Sequence, residues 1–139
     1  MMRPIKKIQE EILENFSMFD NWLEKYEYLI DLGKDLEPIK EEYKTDDNII
    51  KGCQSRVWLH AKSEEDKVIF SADSDAIMTK GIIALLIKVF SGQKANEIAT
   101  ADLDFINKIG LKEQLSATRA NGLVSMIKQM KLYALAFNK

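Results

Sequence analysis

Apolar residues recur at steps of three and four near the start of the chain. Ile5, Ile8, Ile12 and Phe16 fall on one helical face. Pro4 suits the first turn of that helix, where a missing N–H does no harm. Asp20 or Asn21 can cap a second helix, whose apolar face carries Trp22, Tyr26, Leu29 and Ile30. Gly33 is placed to terminate it, with Pro38 five residues on. The pattern then breaks. Residues 41–48 are charged and polar, which predicts a solvated loop, and Ile49 and Ile50 lead out of it. Next the period shortens to two. Val57, Leu59 and Ala61 share one face, Trp58 and His60 the other, which predicts a strand over 56–61. The polar stretch 63–66 connects it to a second strand around Val68, Ile69 and Phe70, and an antiparallel hairpin is expected.

The sheet is expected to end at Asp73-Ser74-Asp75. Ser74 or Asp73 can accept from the free N–H groups of a following helix, and acidic residues suit its positive end. From Ile82 to Phe90 the chain is apolar nearly all round, which predicts a central buried helix laid on the sheet and ended by Ser91-Gly92. Residues 95–99 and 103–109 read as short helical pieces, the second stopped by Gly110. Ser116 can cap the last helix, with Leu123, Ile127, Met130, Ala134 and Phe137 as its core stripe. Gly122 inside that helix costs about 1 kcal/mol against Ala, so another backbone is expected to come close there. The predicted fold class is α+β: one domain over residues 1–139, a small antiparallel sheet with several helices packed on one side.

Composition narrows the partners. With 46% hydrophobic and 30% charged residues, the chain reads as soluble and globular. The formal net charge of -2 gives no basic field for nucleic acid. The longest apolar run, 82–87, is far short of a membrane span. Lys6, Lys7, Glu10 and Glu11 leave no apolar leader near the start. One cysteine allows no internal disulfide, which fits a reducing cytoplasm.

That cysteine lies in Lys51-Gly52-Cys53-Gln54-Ser55-Arg56-Val57-Trp58, in the loop before the first strand. A free cysteine is often no more than a small buried hydrophobe. Here its neighbours are polar or small, and Lys51 and Arg56 supply positive charge that favours thiolate. One cysteine cannot hold an iron–sulfur cluster, which normally takes four ligands. With a single histidine, His60, it cannot build a zinc site. His60 itself reads as a strand residue on the polar face or at a sheet edge. No base and orienting group accompany the thiol as a protease would need. A lone accessible thiolate can, however, attack another sulfur. Arg119 is the other unusual position. It falls in the first turn of the last helix, where the dipole disfavours a cation; a solvated surface charge would also account for it.

Gly52, Cys53, Ser55, Val57 and Trp58, in the pattern Gly-Cys-x-Ser-x-Val-Trp, resemble the SufE family of sulfur-acceptor proteins. Asp73-Ser74-Asp75-Ala76 followed by Lys80-Gly81 is similar to its second motif, although Ile77-Met78-Thr79 between them is less typical. Leu115-Ser116, Arg119, Gly122-Leu123 and Met126-Ile127 are similar to its third. The likeness runs from about residue 8 to residue 136. It implies a fold similar to the IscU scaffolds. It also implies a sulfur carrier rather than an enzyme. A pyridoxal-phosphate-dependent cysteine desulfurase, SufS- or CsdA-like, would pass persulfide sulfur to Cys53 and be stimulated by the transfer. Cys53 would then hand the sulfur to a SufB-type cluster scaffold. The cofactor belongs to the partner, and this chain should need none, whether monomer or weak homodimer. Gly52, Gln54, Ser55, Asp75 and Arg119 are expected to position the Cys53 loop or border the docking surface. At rest Cys53 should turn toward an apolar pocket near the sheet edge and swing out on docking, residues 41–48 supplying the flexibility. Two other classes stand beside this one: an iron–sulfur scaffold, and an interaction module whose cysteine is incidental.

Overall fold

The computed structural model describes residues 4–53 and 55–137. Helix α1, Ile5–Ser17, buries Ile8, Ile12 and Phe16 as the periodicity predicts. Pro4 stands one place earlier than expected, extended at the N-cap. Helix α2, Trp22–Lys34, is capped by Asn21, whose Oδ1 accepts from the Glu24 N–H at 2.9 Å. Gly33 does not terminate it. The helix continues to Lys34, and Gly33 is buried within its last turn. The reason is a crossing with helix α3, Ile77–Phe90: a Cβ on Gly33 would stand 3.0 Å from the Gly81 nitrogen. A Cβ on Gly81 would in turn strike the Leu29 carbonyl. Two glycines thus let the backbones of α2 and α3 come together.

Strands β1, Val57–Glu64, and β2, Lys67–Ser74, pair antiparallel from Val57↔Ser74 to Glu64↔Lys67. The connection is therefore Glu65-Asp66 alone, with Glu65 at φ 61°, and not the whole of 63–66. Ser63 and Glu64 are polar because that end of the hairpin is exposed, and strand pairing does not require them to be apolar. Val57, Leu59, Val68, Phe70 and Ala72 form the buried face. A short third strand, β3 (Gln93–Lys94), adds to β2 and makes the sheet order β1-β2-β3.

Helix α3 buries residues around most of its circumference, among them Ile82, Ile83, Leu85, Leu86, Val89 and Phe90. Short helices α4 (Ala95–Ala99), α5 (Asp104–Ile109) and α6 (Leu111–Gln114) follow. Gly110 turns the chain between α5 and α6 at φ 79°. Helix α7, Ala117–Phe137, packs through Gly122, Leu123, Met126, Met130 and Ala134. Phe137, expected in that stripe, lies outside the core at 36% exposed, and Met126 takes a place the stripe had left out. The architecture is α+β, as the sequence pattern implies. Among the described residues no helix is long and apolar enough to cross a membrane.

Residues 41–48 are not a free loop. They form two 3-10 turns, Glu41–Tyr43 and Asp46–Asn48. Tyr43 stacks on His60 with ring centroids 3.6 Å apart and an interplanar angle of 8°. The Lys44 Nζ lies 5.5 Å from the Trp58 ring centre and 2.8 Å from an Asp73 oxygen. Trp58 and Asp73 are paired neighbours of β1 and β2, so this segment is strapped across the sheet face away from the core.

Candidate functional site

The Cys53 loop leaves the sheet edge through a fixed stem. Ile49 bridges Trp58, and the Ile50 N–H donates to the Val57 carbonyl at 2.8 Å. Gly52 then takes φ 96°, a region that a Cβ disfavours. A Cβ there would also run into the Ser125 hydroxyl of α7. The chain therefore turns hard against α7 and delivers Cys53 to Gly122. A Cβ on Gly122 would lie 3.4 Å from the Cys53 sulfur and 3.9 Å from its Cα. The sequence predicts another backbone at that costly helical glycine; what comes nearest is instead the Cys53 side chain, with its Cα behind. The thiol points at the Gly122 carbonyl at 3.7 Å, a weak S–H···O contact.

Cys53 is half-buried. Beside it is a cavity of about 80 Å³. Ile82 and Met126 give it an apolar lining, Thr79 and Thr118 add hydroxyls, and Ser55 and Arg119 complete it. Burial pushes the Cys53 thiol above its ordinary pKa. This corrects the expectation that Lys51 and Arg56 would favour thiolate. Both residues are exposed, where water screens their charge, while the sulfur is partly out of water. In the resting geometry Cys53 is sheltered, and burial disfavours its thiolate.

The outgoing stem is held by the Asp73-Ser74-Asp75 stretch, in a way the capping expectation does not describe. Helix α3 begins only at Ile77, with Ala76 at its N-cap and no side-chain cap. The Asp75 carboxylate instead accepts from the Arg56 N–H at 3.1 Å. The Arg56 carbonyl accepts from the Asp75 N–H at 3.2 Å and from the Ser74 hydroxyl at 2.8 Å. Asp73 accepts from the Ser74 N–H at 2.8 Å and pairs with Lys44 at 2.8 Å and Lys80 at 3.3 Å. Burial works against the Asp73 charge. Hydrogen bonds from Lys44, the Ser74 N–H and Lys80 outweigh it and hold the carboxyl below its ordinary pKa. Lys44 moves the opposite way, raised chiefly by its bond to Asp73.

Of the residues singled out from sequence, Gly52, Cys53 and Ser55 lie in the loop, Asp75 clamps its outgoing stem, and Arg119 lines the cavity with an exposed side chain. The Arg119 N–H donates to the Ser116 hydroxyl at 3.3 Å, so Ser116 does cap α7. Gln54 falls outside the described residues. Lys44, Thr79, Ile82 and Ser125 belong to the site and were not singled out. Thr79 and Ile82 flank Lys80-Gly81 and stand three apart on one helical face, which could have marked them, whereas nothing local marks Lys44. A larger groove of about 520 Å³ runs along α1 and α5, but its lining has neither thiol nor imidazole, so volume does not identify the chemistry. Among the described residues no three His, Cys, Asp or Glu side chains gather as a metal site.

Comparison with known proteins agrees with this geometry. The model of the SufE family, described as an Fe-S metabolism associated domain, matches residues 10–134. An uncharacterized SufE-like protein of Rhizobium meliloti (strain 1021) is 42% identical over 127 residues, covering 88% of this chain and 91% of that protein. A cysteine desulfuration protein SufE of Wigglesworthia glossinidia brevipalpis is 38% identical over 133 residues, covering 94% of this chain and 91% of that one. A solution structure of a hypothetical protein from Thermus thermophilus superposes with a TM-score of 0.79 over 98% of both chains. At 20% identity that likeness concerns the fold alone.

Proposed function

Because the chain belongs to the SufE family, we propose that it accepts persulfide sulfur from a pyridoxal-phosphate-dependent cysteine desulfurase onto Cys53. The observation that carries this reading is the Cys53 sulfur, seated against Gly122 beside a cavity of about 80 Å³. An extra sulfur atom needs about the room of one water, roughly 30 Å³. The cavity is large enough to shelter the outer atom of a persulfide from reductants and oxidants.

The transfer is a thiol–disulfide-type exchange. The Cys53 thiolate attacks the outer sulfur of the desulfurase persulfide. A bond forms between the Cys53 sulfur and that atom, the persulfide bond of the partner breaks, and the partner's cysteine leaves as thiolate. No external oxidant or reductant is consumed. Turnover of the desulfurase accelerates because its cysteine is cleared. In the second half a thiolate of a SufB-type cluster scaffold attacks the outer sulfur, the Cys53 persulfide bond breaks, and Cys53 leaves as thiolate. Both steps need Cys53 to leave the cavity and return, and the first also needs its thiol to deprotonate. Asp75 sets the loop's outgoing stem, and Arg119 borders the surface on which the desulfurase docks. A reducing compartment such as the cytoplasm keeps the resting thiol free.

The test is to incubate the protein with a cysteine desulfurase and cysteine and to measure intact mass. Wild type should gain sulfur at Cys53 and stimulate desulfurase turnover. Cys53→Ser should melt like wild type and do neither. Arg119→Ala should melt normally and stimulate less. Stimulation by Cys53→Ser equal to wild type, with no added reductant, would sink the assignment.

A further inference from the structure

Three candidates besides the thiol cavity present themselves. The groove along α1 and α5 is lined by charges of both signs and points to no one ligand. A stripe on α7 leaves Val124, Leu132 and Leu135 exposed around Lys128, without anything to identify what would cover it. The third is the strap of residues 41–48 across the outer sheet face, and here the contacts converge on one carboxylate.

Asp73 joins three elements. It is the last but one residue of β2, it binds Lys44 of the strap at 2.8 Å, and it binds Lys80 of α3 at 3.3 Å. Its side chain is only 19% exposed. Two cations therefore share this carboxylate, and among the described residues only Lys44 has another, the exposed Glu41 at 3.5 Å. Lys44 is held a second time, over the Trp58 ring. Each contact bears on the cysteine loop. The strap runs from Lys44 through Ile49 and Ile50 directly into that loop. Lys80 follows Thr79, which lines the thiol cavity. Asp73 also precedes Ser74 and Asp75, which clamp Arg56 on the loop's other side.

We propose that Lys44 and Asp73 are positioning residues for the Cys53 loop, forming an ion-paired clasp whose opening sets how often the thiol leaves its cavity. The clasp touches neither the sulfur nor the proposed partner's sulfur. It acts through the incoming stem. Breaking it loosens the strap at Lys44, while the Tyr43–His60 stack, the Ile49–Trp58 bridge, the β1–β2 pairing and the Arg56 clamp remain. As an account of sulfur acceptance it rests on the function proposed above; as an account of thiol exposure it stands apart.

The experiment measures alkylation of Cys53 by iodoacetamide, an uncharged reagent, in the full chain without any partner. Lys44→Gln should raise the rate about three- to fivefold, the equilibrium effect of losing a partly exposed ion pair. Asp73→Asn should raise it further, since Lys80 loses its anion as well as Lys44 losing its shorter pair. Lys44→Arg should return the wild-type rate, because guanidinium can keep both the carboxylate and the indole contact. Lys62→Gln serves as control. It breaks an exposed pair of 3.5 Å with Glu64, at the far end of the same hairpin, and should leave the rate unchanged. Wild-type rates in both Lys44→Gln and Asp73→Asn would overturn the clasp. So would an equal rise in Lys62→Gln, or a rise that merely follows the loss of melting temperature. Persulfide loading from desulfurase and cysteine is read in parallel. If wild type takes no sulfur while the alkylation pattern holds, the sulfur-acceptor reading fails and the clasp does not.

Discussion

At Gly81 a Cβ would run into the Leu29 carbonyl, and at Gly122 it would come within 3.4 Å of the Cys53 sulfur. Both glycines are themselves buried, each inside a helix, and both lie in the motifs that mark the family. Their obstacles differ in kind. The first is backbone of a neighbouring helix, fixed by its own hydrogen bonds. The second is a side chain at the end of a loop, which an added Cβ would meet only in ordinary contact. The α2–α3 crossing therefore uses its glycines for the fold, and the α7 glycine leaves room for chemistry. A motif glycine alone does not say which of these it does; the neighbour it makes room for does.

The comparison breaks most visibly at the crossing. Gly81→Ala should cost about 3 kcal/mol by overpacking a rigid site, and lower the melting temperature by about 10 °C for a chain of this size. Its folded fraction should still load sulfur at Cys53. A melt unchanged from wild type would show that the crossing can relax and that the contrast is false.

Gly122→Ala is the smaller but sharper case. Helical propensity gains up to about 1 kcal/mol against the crowding it introduces. The melt should stay within about 1 kcal/mol of wild type, while persulfide loading falls because the cavity no longer seats the outer sulfur. Intact-mass analysis beside a melt separates the two quantities. Full loading by Gly122→Ala would remove the role given to the cavity.

The smallest effect is a shift in pH. Burial raises the Cys53 pKa, so at any given pH less thiolate is present than for a free cysteine. Alkylation of wild type should rise with pH and reach its midpoint above that of a cysteine peptide.

Much of this fold was legible because it depends on local pattern. Ile8, Ile12 and Phe16 announce α1, and the apolar circumference of α3 announces a buried helix. What escaped was decided by distant partners. Gly33 looked like a helix stop because the residue across the crossing, Gly81, lies 48 positions on. Strand β3 has two residues and no pattern of its own; it exists because β2 offers an edge to Gln93 and Lys94. Asp73, Ser74 and Asp75 carry the composition of a helix cap, yet the two carboxylates face Arg56, Lys44 and Lys80, and Ser74 donates to the Arg56 carbonyl while accepting from the Ala76 N–H. At the site, the lone cysteine and the unexpected Gly122 were readable separately. Their contact was not, since only the tertiary fold places Cys53 on α7. The charge state of the thiol went astray for the same reason. Lys51 and Arg56 are close in sequence, but burial governs the sulfur.

The shelter of Cys53 is made by residues that come late in the chain. Sixty-nine positions separate the sulfur from the Gly122 carbonyl it faces. During synthesis, at about 5–20 residues per second, that interval lasts on the order of ten seconds. The hairpin that carries the loop needs only microseconds to form. A nascent chain therefore presents its thiol on a finished stem, uncovered, until α7 arrives. In that interval Cys53 is as open to stray oxidants as any unfolded cysteine, and damage there would precede the first turnover.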